Sequence, residues 1–157
     1  MPVSKDEFRS AMSRFASGVT VVTTRTEDHQ PNGLTVSSFA SLSLEPPLVL
    51  VCIDKHASIH DLLVEGRYFA VNVLAEDQEI LSRRFASRDA DRFSGTGYAD
   101  GVTGVPILSD VLAAIECRIV HAYPGGDHTI IVGEVEHAVV RDGKPLAYFR
   151  GGYSELA

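Results

Sequence analysis

Two long runs rich in β-branched residues, 113–123 and 128–140, are separated only by Pro124-Gly125-Gly126-Asp127, and this juxtaposition constrains the fold more than any other feature of the chain. Proline, glycine and aspartate in a four-residue link are hairpin chemistry, so the two runs are expected as neighbouring antiparallel strands. Shorter strand-like runs stand at 19–24, 34–44, 48–53, 68–74 and 146–149, punctuated by the turn chemistry of His29-Gln30-Pro31-Asn32-Gly33 and by Pro46-Pro47. Helical signals are few. Ser4-Lys5-Asp6-Glu7 matches a capping box ahead of Phe8, Met12 and Phe15 at helical spacing; residues 58–66 read as a short helix with Ile59, Leu62 and Leu63 inward; residues 77–86 read as another. Residues 88–104 read as a polar loop wrapping an edge. Frequent hairpins and few, peripheral helices predict a mainly β Greek-key barrel over a βαβ sheet, with residues 1–157 as one domain.

Several function classes lose support from composition. A formal charge of -7 provides no global basic field for nucleic acid. The longest uninterrupted apolar run, 48–53, is far below a membrane span, and Lys5, Asp6 and Glu7 break a signal-peptide pattern, so a soluble cytoplasmic protein is expected. Cys52 and Cys117 lie in apolar runs without CxxC spacing, which predicts reduced, buried thiols and no zinc ribbon. The glycines of 95–101 read G-x-G-x-x-x-G, one residue too long for a dinucleotide fingerprint and with no strand before them. His56 and His60 stand at i, i+4 but lack the glutamate of a zinc-protease helix and a third ligand, so no metal is expected.

What remains is the block 33–59. Thr35-Val36-Ser37-Ser38 offers polar groups without bulk, which suits a flat, polar-edged ligand lying along a strand. The apolar run 48–53 leads into Asp54-Lys55 and a helix start at Ser58, where a serine and unpaired amides suit a phosphate, although Ser58 to Asp61 is equally a plain capping box. Together these predict a planar, phosphorylated cofactor. Taken singly, Thr35, Ser37 and Ser38 are also ordinary residues for a solvated strand face, and His128 for the head of a strand.

In this order the segments FRSAMSRFASGVTVVTT, GLTVSSF, EPPLVLVCIDK, RYFAVNVL, LSRRFA, GDHTIIVGEV and YFRGGY resemble the flavin reductase-like domain of the FMN-binding split-barrel superfamily, and most of all the small reductase components of two-component aromatic monooxygenases. The resemblance implies a split β-barrel of Greek-key type with a few peripheral helices. It also implies FAD or FMN as cofactor, NADH or NADPH as electron donor, a homodimer, and a separate oxygenase that receives the reduced flavin. Carried onto this chain, Thr35, Val36, Ser37, Ser38, Cys52, Ile53, Asp54, Lys55, Ser58, Phe85 and Ala86 would hold the flavin. His128, Arg150, Gly151, Gly152 and Tyr153 would hold the nicotinamide, and no side chain would be catalytic in its own right, because hydride passes between cofactors. Two rivals stand beside this reading. A flavin-binding barrel without turnover would show no nicotinamide oxidation, and a pyridoxine-phosphate-oxidase-like enzyme would share the superfamily fold, but the GDH and YFRGGY segments of this chain resemble the reductase branch and argue against it.

Overall fold

The structure, a computed structural model, describes residues 1–156. In chain order the elements are α1 (Lys5–Met12), β1 (Ser17–Gly18), β2 (Thr20–Arg25), β3 (Pro31–Val36), β4 (Phe39–Ser43), β5 (Leu48–Asp54), β6 (Tyr68–Val73), α2 (Glu79–Ala86), β7 (Tyr98–Asp100), β8 (Pro106–Leu108), β9 (Ala113–Gly125), β10 (His128–Val140), β11 (Leu146–Phe149) and β12 (Gly152–Glu155). Seven strands form one antiparallel sheet in the order β3-β2-β6-β9-β10-β5-β4. The expected β9–β10 hairpin is present and tighter than its composition suggests, since β9 continues through Pro124 and Gly125 and only Gly126-Asp127 turns the chain.

β3 and β4 are the two outermost strands of the sheet, yet only Ser37 and Ser38 lie between them. Three Cα–Cα steps of about 3.8 Å cannot cross a flat seven-stranded sheet whose strands lie roughly 4.8 Å apart, so the sheet must curl until its edges approach. Among the described residues no ladder joins β3 to β4, and the curl keeps an open seam at Ser37-Ser38. The single strand expected over 34–44 is therefore two strands, broken where the chain passes from one edge to the other.

Strand alternation sorts residues to the two sides of this curl. On β5, Val49, Val51 and Ile53 are buried while Leu50, Cys52 and Asp54 lie on the other face. The inward residues pack with Val22, Phe69, Val71, Cys117, Ile119 and Ile131 into one core. A second core gathers Val21, Leu74, Leu108 and Leu146 around Phe85 of α2. Burial, and secondarily the charges of Glu116 and Glu136, push the Cys117 thiol up to about 12, so it is no nucleophile.

The helical expectations fare unevenly. α1 is capped as its sequence predicts, with the Glu7 N–H donating to Ser4 Oγ (3.1 Å) and Ser4 Oγ donating to Glu7 Oε1 (3.2 Å). The helix expected over 58–66 is reduced to one 3₁₀ turn, His60–Leu62. A turn on Asp54 precedes it, the side chain accepting the His56 N–H (2.8 Å) and the carbonyl the Ala57 N–H (3.0 Å); beyond it His60, Leu62 and Leu63 donate three residues back, to Ala57, Ile59 and His60, and the Gly66 N–H goes to the Ile119 carbonyl of β9. The edge loop expected over 88–104 carries a strand, β7, paired with β8. The tail beyond β11 is a hairpin, with Arg150 (φ 53°) and Gly151 (φ 76°) both left-handed as a type I′ turn needs.

Candidate functional site

A cleft of about 410 Å³ opens along the seam. β3 contributes Thr35 and Val36, the seam itself Ser37 and Ser38, β5 Cys52 and Asp54, the turn after β5 His56 and Ala57, and β10 His128. The β5–β10 register pairs Asp54 with His128 and Cys52 with Ile130, which brings the distant GDH segment beside the CID segment. Ser38 ties the seam to β5 twice. Its carbonyl accepts the Cys52 N–H (3.1 Å), and its hydroxyl donates to the Cys52 carbonyl (3.0 Å). The Thr35 hydroxyl is turned away to donate to the Ser82 carbonyl of α2 (2.6 Å), so Thr35 shapes the wall and anchors the helix behind it.

Two of the residues that the resemblance assigns to the flavin lie in the cores. The side chains of Ile53 and Phe85 are wholly buried, so Ile53 can offer a ligand only its backbone, and Phe85 acts from beneath β3. A Cβ on Gly33 would stand 2.9 Å from the Phe85 ring, which explains why glycine occupies that point of β3. Lys55 is exposed and anchored by its backbone, its N–H donating to the Asp127 carbonyl (3.0 Å); its side chain does not line the seam cleft.

Ser58 and Ala86 line a second cleft of about 790 Å³ that shares His56 and Ala57 with the first. Arg88 and Arg92 border it, both from the segment whose sequence reads only as polar loop, so nothing in the residue pattern marks them. Arg92 Nη1 donates to the Gly33 carbonyl (2.7 Å) and Nη2 to the Ser87 carbonyl, clamping the loop to β3, while its buried Nε has no partner. Burial lowers the Arg92 pKa, with Asp89 opposing.

His128 is half-exposed and its Nδ1 lies 2.7 Å from Asp127 Oδ1. A carboxylate only accepts, so Nδ1 carries the hydrogen and Nε2 faces outward chemistry as an acceptor in the neutral ring. The same hydrogen bond, with the imidazole's charge, holds the Asp127 carboxyl below its usual range. His60 belongs to a different network, Nδ1 to Asp61 (2.8 Å) and Nε2 to Thr129 Oγ1 (2.8 Å), so the His56/His60 spacing falls on no α-helical face.

The tail divides. Gly151 lines a third cleft, about 390 Å³, with Tyr148 and the α1 side, and Ser37 is common to this cleft and the seam cleft. Arg150 is exposed on the turn, and Tyr153 is held by α2, its hydroxyl 2.7 Å from Ser82 Oγ and its ring 4.8 Å below the Arg83 guanidinium carbon.

A model of the flavin reductase like domain matches residues 12–157. The chain belongs to this family. It is 45% identical over 150 residues to the FMN reductase (NADH) SmoA of Agrobacterium fabrum, covering 96% of this chain and 85% of that protein. It is 41% identical over 155 residues to the reductase component of a 4-nitrophenol 4-monooxygenase/4-nitrocatechol 2-monooxygenase of Rhodococcus opacus, covering 99% and 83%. The solved NADH:FAD oxidoreductase SgcE6 of Streptomyces globisporus, in complex with NAD and FAD fragments, superposes with a TM-score of 0.93 at 37% identity over 98% of this chain and 93% of that one. For a flavin reductase-like domain, a seam cleft walled by small polar residues and opening onto an arginine-bordered cleft fits a planar ring system with a phosphate tail.

Proposed function

We propose that this chain is an NAD(P)H-dependent flavin reductase that reduces FAD or FMN and supplies the reduced flavin to a separate oxygenase component. One observation carries the reading: the fold brings Ser37, Ser38, Cys52 and Asp54 of the 33–59 block to one cleft with His128, 74 to 91 residues further along the chain. The flavin would supply the hydride-accepting chemistry. The chain's own residues would position and shield: the doubled Ser38–Cys52 hydrogen bonds fix the seam residue to β5, Val36 and the β5 backbone provide a dry wall, and Nε2 of His128 would accept a hydrogen bond from the nicotinamide carboxamide, its tautomer set by Asp127. No helix starts at Ser58, so a phosphate there would be held by Ser58, Arg88 and the turn amides, with no helix dipole to help.

Partner and place follow the same reading. Leu42 of β4 and Leu44 just beyond it are about half-exposed or more, apolar side chains that a second copy of the chain would cover in a homodimer. Among the described residues no helix is long and apolar enough to cross a membrane. A single-domain cytoplasmic enzyme is the proposed setting, where reduced nicotinamide is at hand.

Two results test the assignment of the site. His128→Ala should weaken nicotinamide saturation a few-fold to tenfold, the worth of one hydrogen bond at about 0.5 to 1.5 kcal/mol, and leave flavin affinity near wild type. Flavin titration by fluorescence and stopped-flow nicotinamide dependence on flavin-loaded protein read the two halves separately; loss of flavin with normal nicotinamide saturation would move His128 to the flavin side. FMN and FAD should also bind more tightly than riboflavin, and Arg88→Ala should narrow that gap. Equal affinity for all three flavins would remove the phosphate from the second cleft.

A further inference from the structure

Tyr153, one of the tail residues that the resemblance assigns to the nicotinamide, is bonded to α2. The Tyr153 hydroxyl is within 2.7 Å of Ser82 Oγ, and the Arg83 guanidinium covers its ring at 4.8 Å. Its edge meets Tyr148, the rings standing 5.3 Å apart at 77°. Tyr148 is the direct cross-strand partner of Tyr153 in the β11–β12 hairpin, so the two side chains share one face of that small sheet. Tyr148 keeps 36% of its surface exposed and lines the third cleft, which meets the seam cleft at Ser37.

We propose that Tyr148 is the aromatic wall of the nicotinamide subsite, and that Tyr153 is a positioning residue that holds Tyr148 at the seam through Ser82. The inference rests on the flavin reductase reading above. A planar ring entering beside His128 has the flavin site on one side and needs an apolar, flat surface on the other; Tyr148 offers that surface from the adjoining cleft. Ser82 sets the spacing. Its carbonyl accepts the Thr35 hydroxyl from the seam wall (2.6 Å) while its own hydroxyl meets Tyr153, so a single residue of α2 locks the tail hairpin to β3. The contacts Thr35–Ser82, Ser82–Tyr153 and Tyr153–Tyr148 run from the β3 wall of the seam cleft to the adjoining third cleft. Movement of the tail relative to β3 would open the nicotinamide subsite and leave the flavin wall in place.

The experiment measures NADH and NADPH saturation of the full chain preloaded with flavin, with flavin affinity and thermal unfolding on the same samples. Tyr148→Ala should raise the nicotinamide KM about tenfold, and Tyr148→Phe, which keeps the ring, should restore it to within about twofold of wild type. Tyr153→Phe and Ser82→Ala should each raise KM about threefold with kcat and flavin affinity nearly unchanged, and the double variant should be no worse than the poorer single, because both cut the same link. A KM for Tyr148→Ala equal to wild type overturns the wall. Additive effects of Ser82→Ala and Tyr153→Phe, or a fall in Tm with KM unmoved, overturn the positioning role. Wild-type protein that oxidises neither nicotinamide with any flavin sinks the reductase reading and the tyrosine assignment with it, whereas an active wild type with unmoved variants sinks the tyrosines alone.

Discussion

Tryptophan at Cys52 removes flavin binding, raising the dissociation constant by more than about a hundredfold, equivalent to roughly 2.7 kcal/mol or more. Cys52 lies on the cleft-facing side of β5, half-buried, with its N–H and carbonyl both held by Ser38 and its register fixed opposite Ile130. Strand side chains stand roughly perpendicular to the sheet, so an indole on this backbone projects into a cleft of about 410 Å³ in place of a flat ligand. The substitution adds bulk outside both cores, and the protein should keep its circular dichroism spectrum and unfold near the wild-type midpoint. Fluorescence titration with FMN and FAD gives the affinity; a folded Cys52→Trp protein that binds either flavin as wild type does would place the flavin outside the seam.

Phe85→Ala carries the largest expected cost in stability, about 3 to 5 kcal/mol, a large part of the roughly 5 to 15 kcal/mol that a domain of this size has in total. The ring is wholly buried, meets Phe93 edge-on at 5.0 Å and lies directly under Gly33. Little there can collapse into the space, because Gly33 has no side chain and β3 is already pinned by Arg92 and by Thr35 on Ser82. Flavin affinity should fall as well, since β3 is one wall of the seam. Urea unfolding measures the first effect, and a loss below about 1 kcal/mol would mean that the second core closes around the void.

Residue pattern carried the strands well, because β-branched runs, the 124–127 link and the apolar run of β5 are local properties of the chain. The α1 cap was equally legible, being a four-residue signal satisfied by its own neighbours. What local pattern could not show was competition. Residues 58–66 have helical spacing, but the His60, Leu62 and Leu63 N–H groups donate only three residues back, to Ala57, Ile59 and His60, and the Gly66 N–H donates to the Ile119 carbonyl of β9. The tail hairpin at Arg150-Gly151-Gly152 depends on distant partners, β1 pairing with β11 and α2 holding Tyr153. The seam is the clearest case: 34–44 has the alternation of one strand, and only the order of the whole sheet shows that its halves belong to opposite edges. Arg88 and Arg92 carry no spacing signal, since their place at the second cleft is set by where their loop docks on β3. Of the residues carried over by resemblance, those with small side chains on the seam share one cleft, while Ile53 and Phe85 support it from the core.

The account rests on hydride passing from nicotinamide to flavin within the seam cleft. Anaerobic stopped-flow tests that claim most directly, following the flavin's visible absorbance after NADH or NADPH is mixed with wild-type protein and with folded Cys52→Trp. The account predicts bleaching that saturates with nicotinamide in the wild type and falls to the protein-free background in the variant; bleaching at the wild-type rate in the variant, or none above background in the wild type, would contradict it.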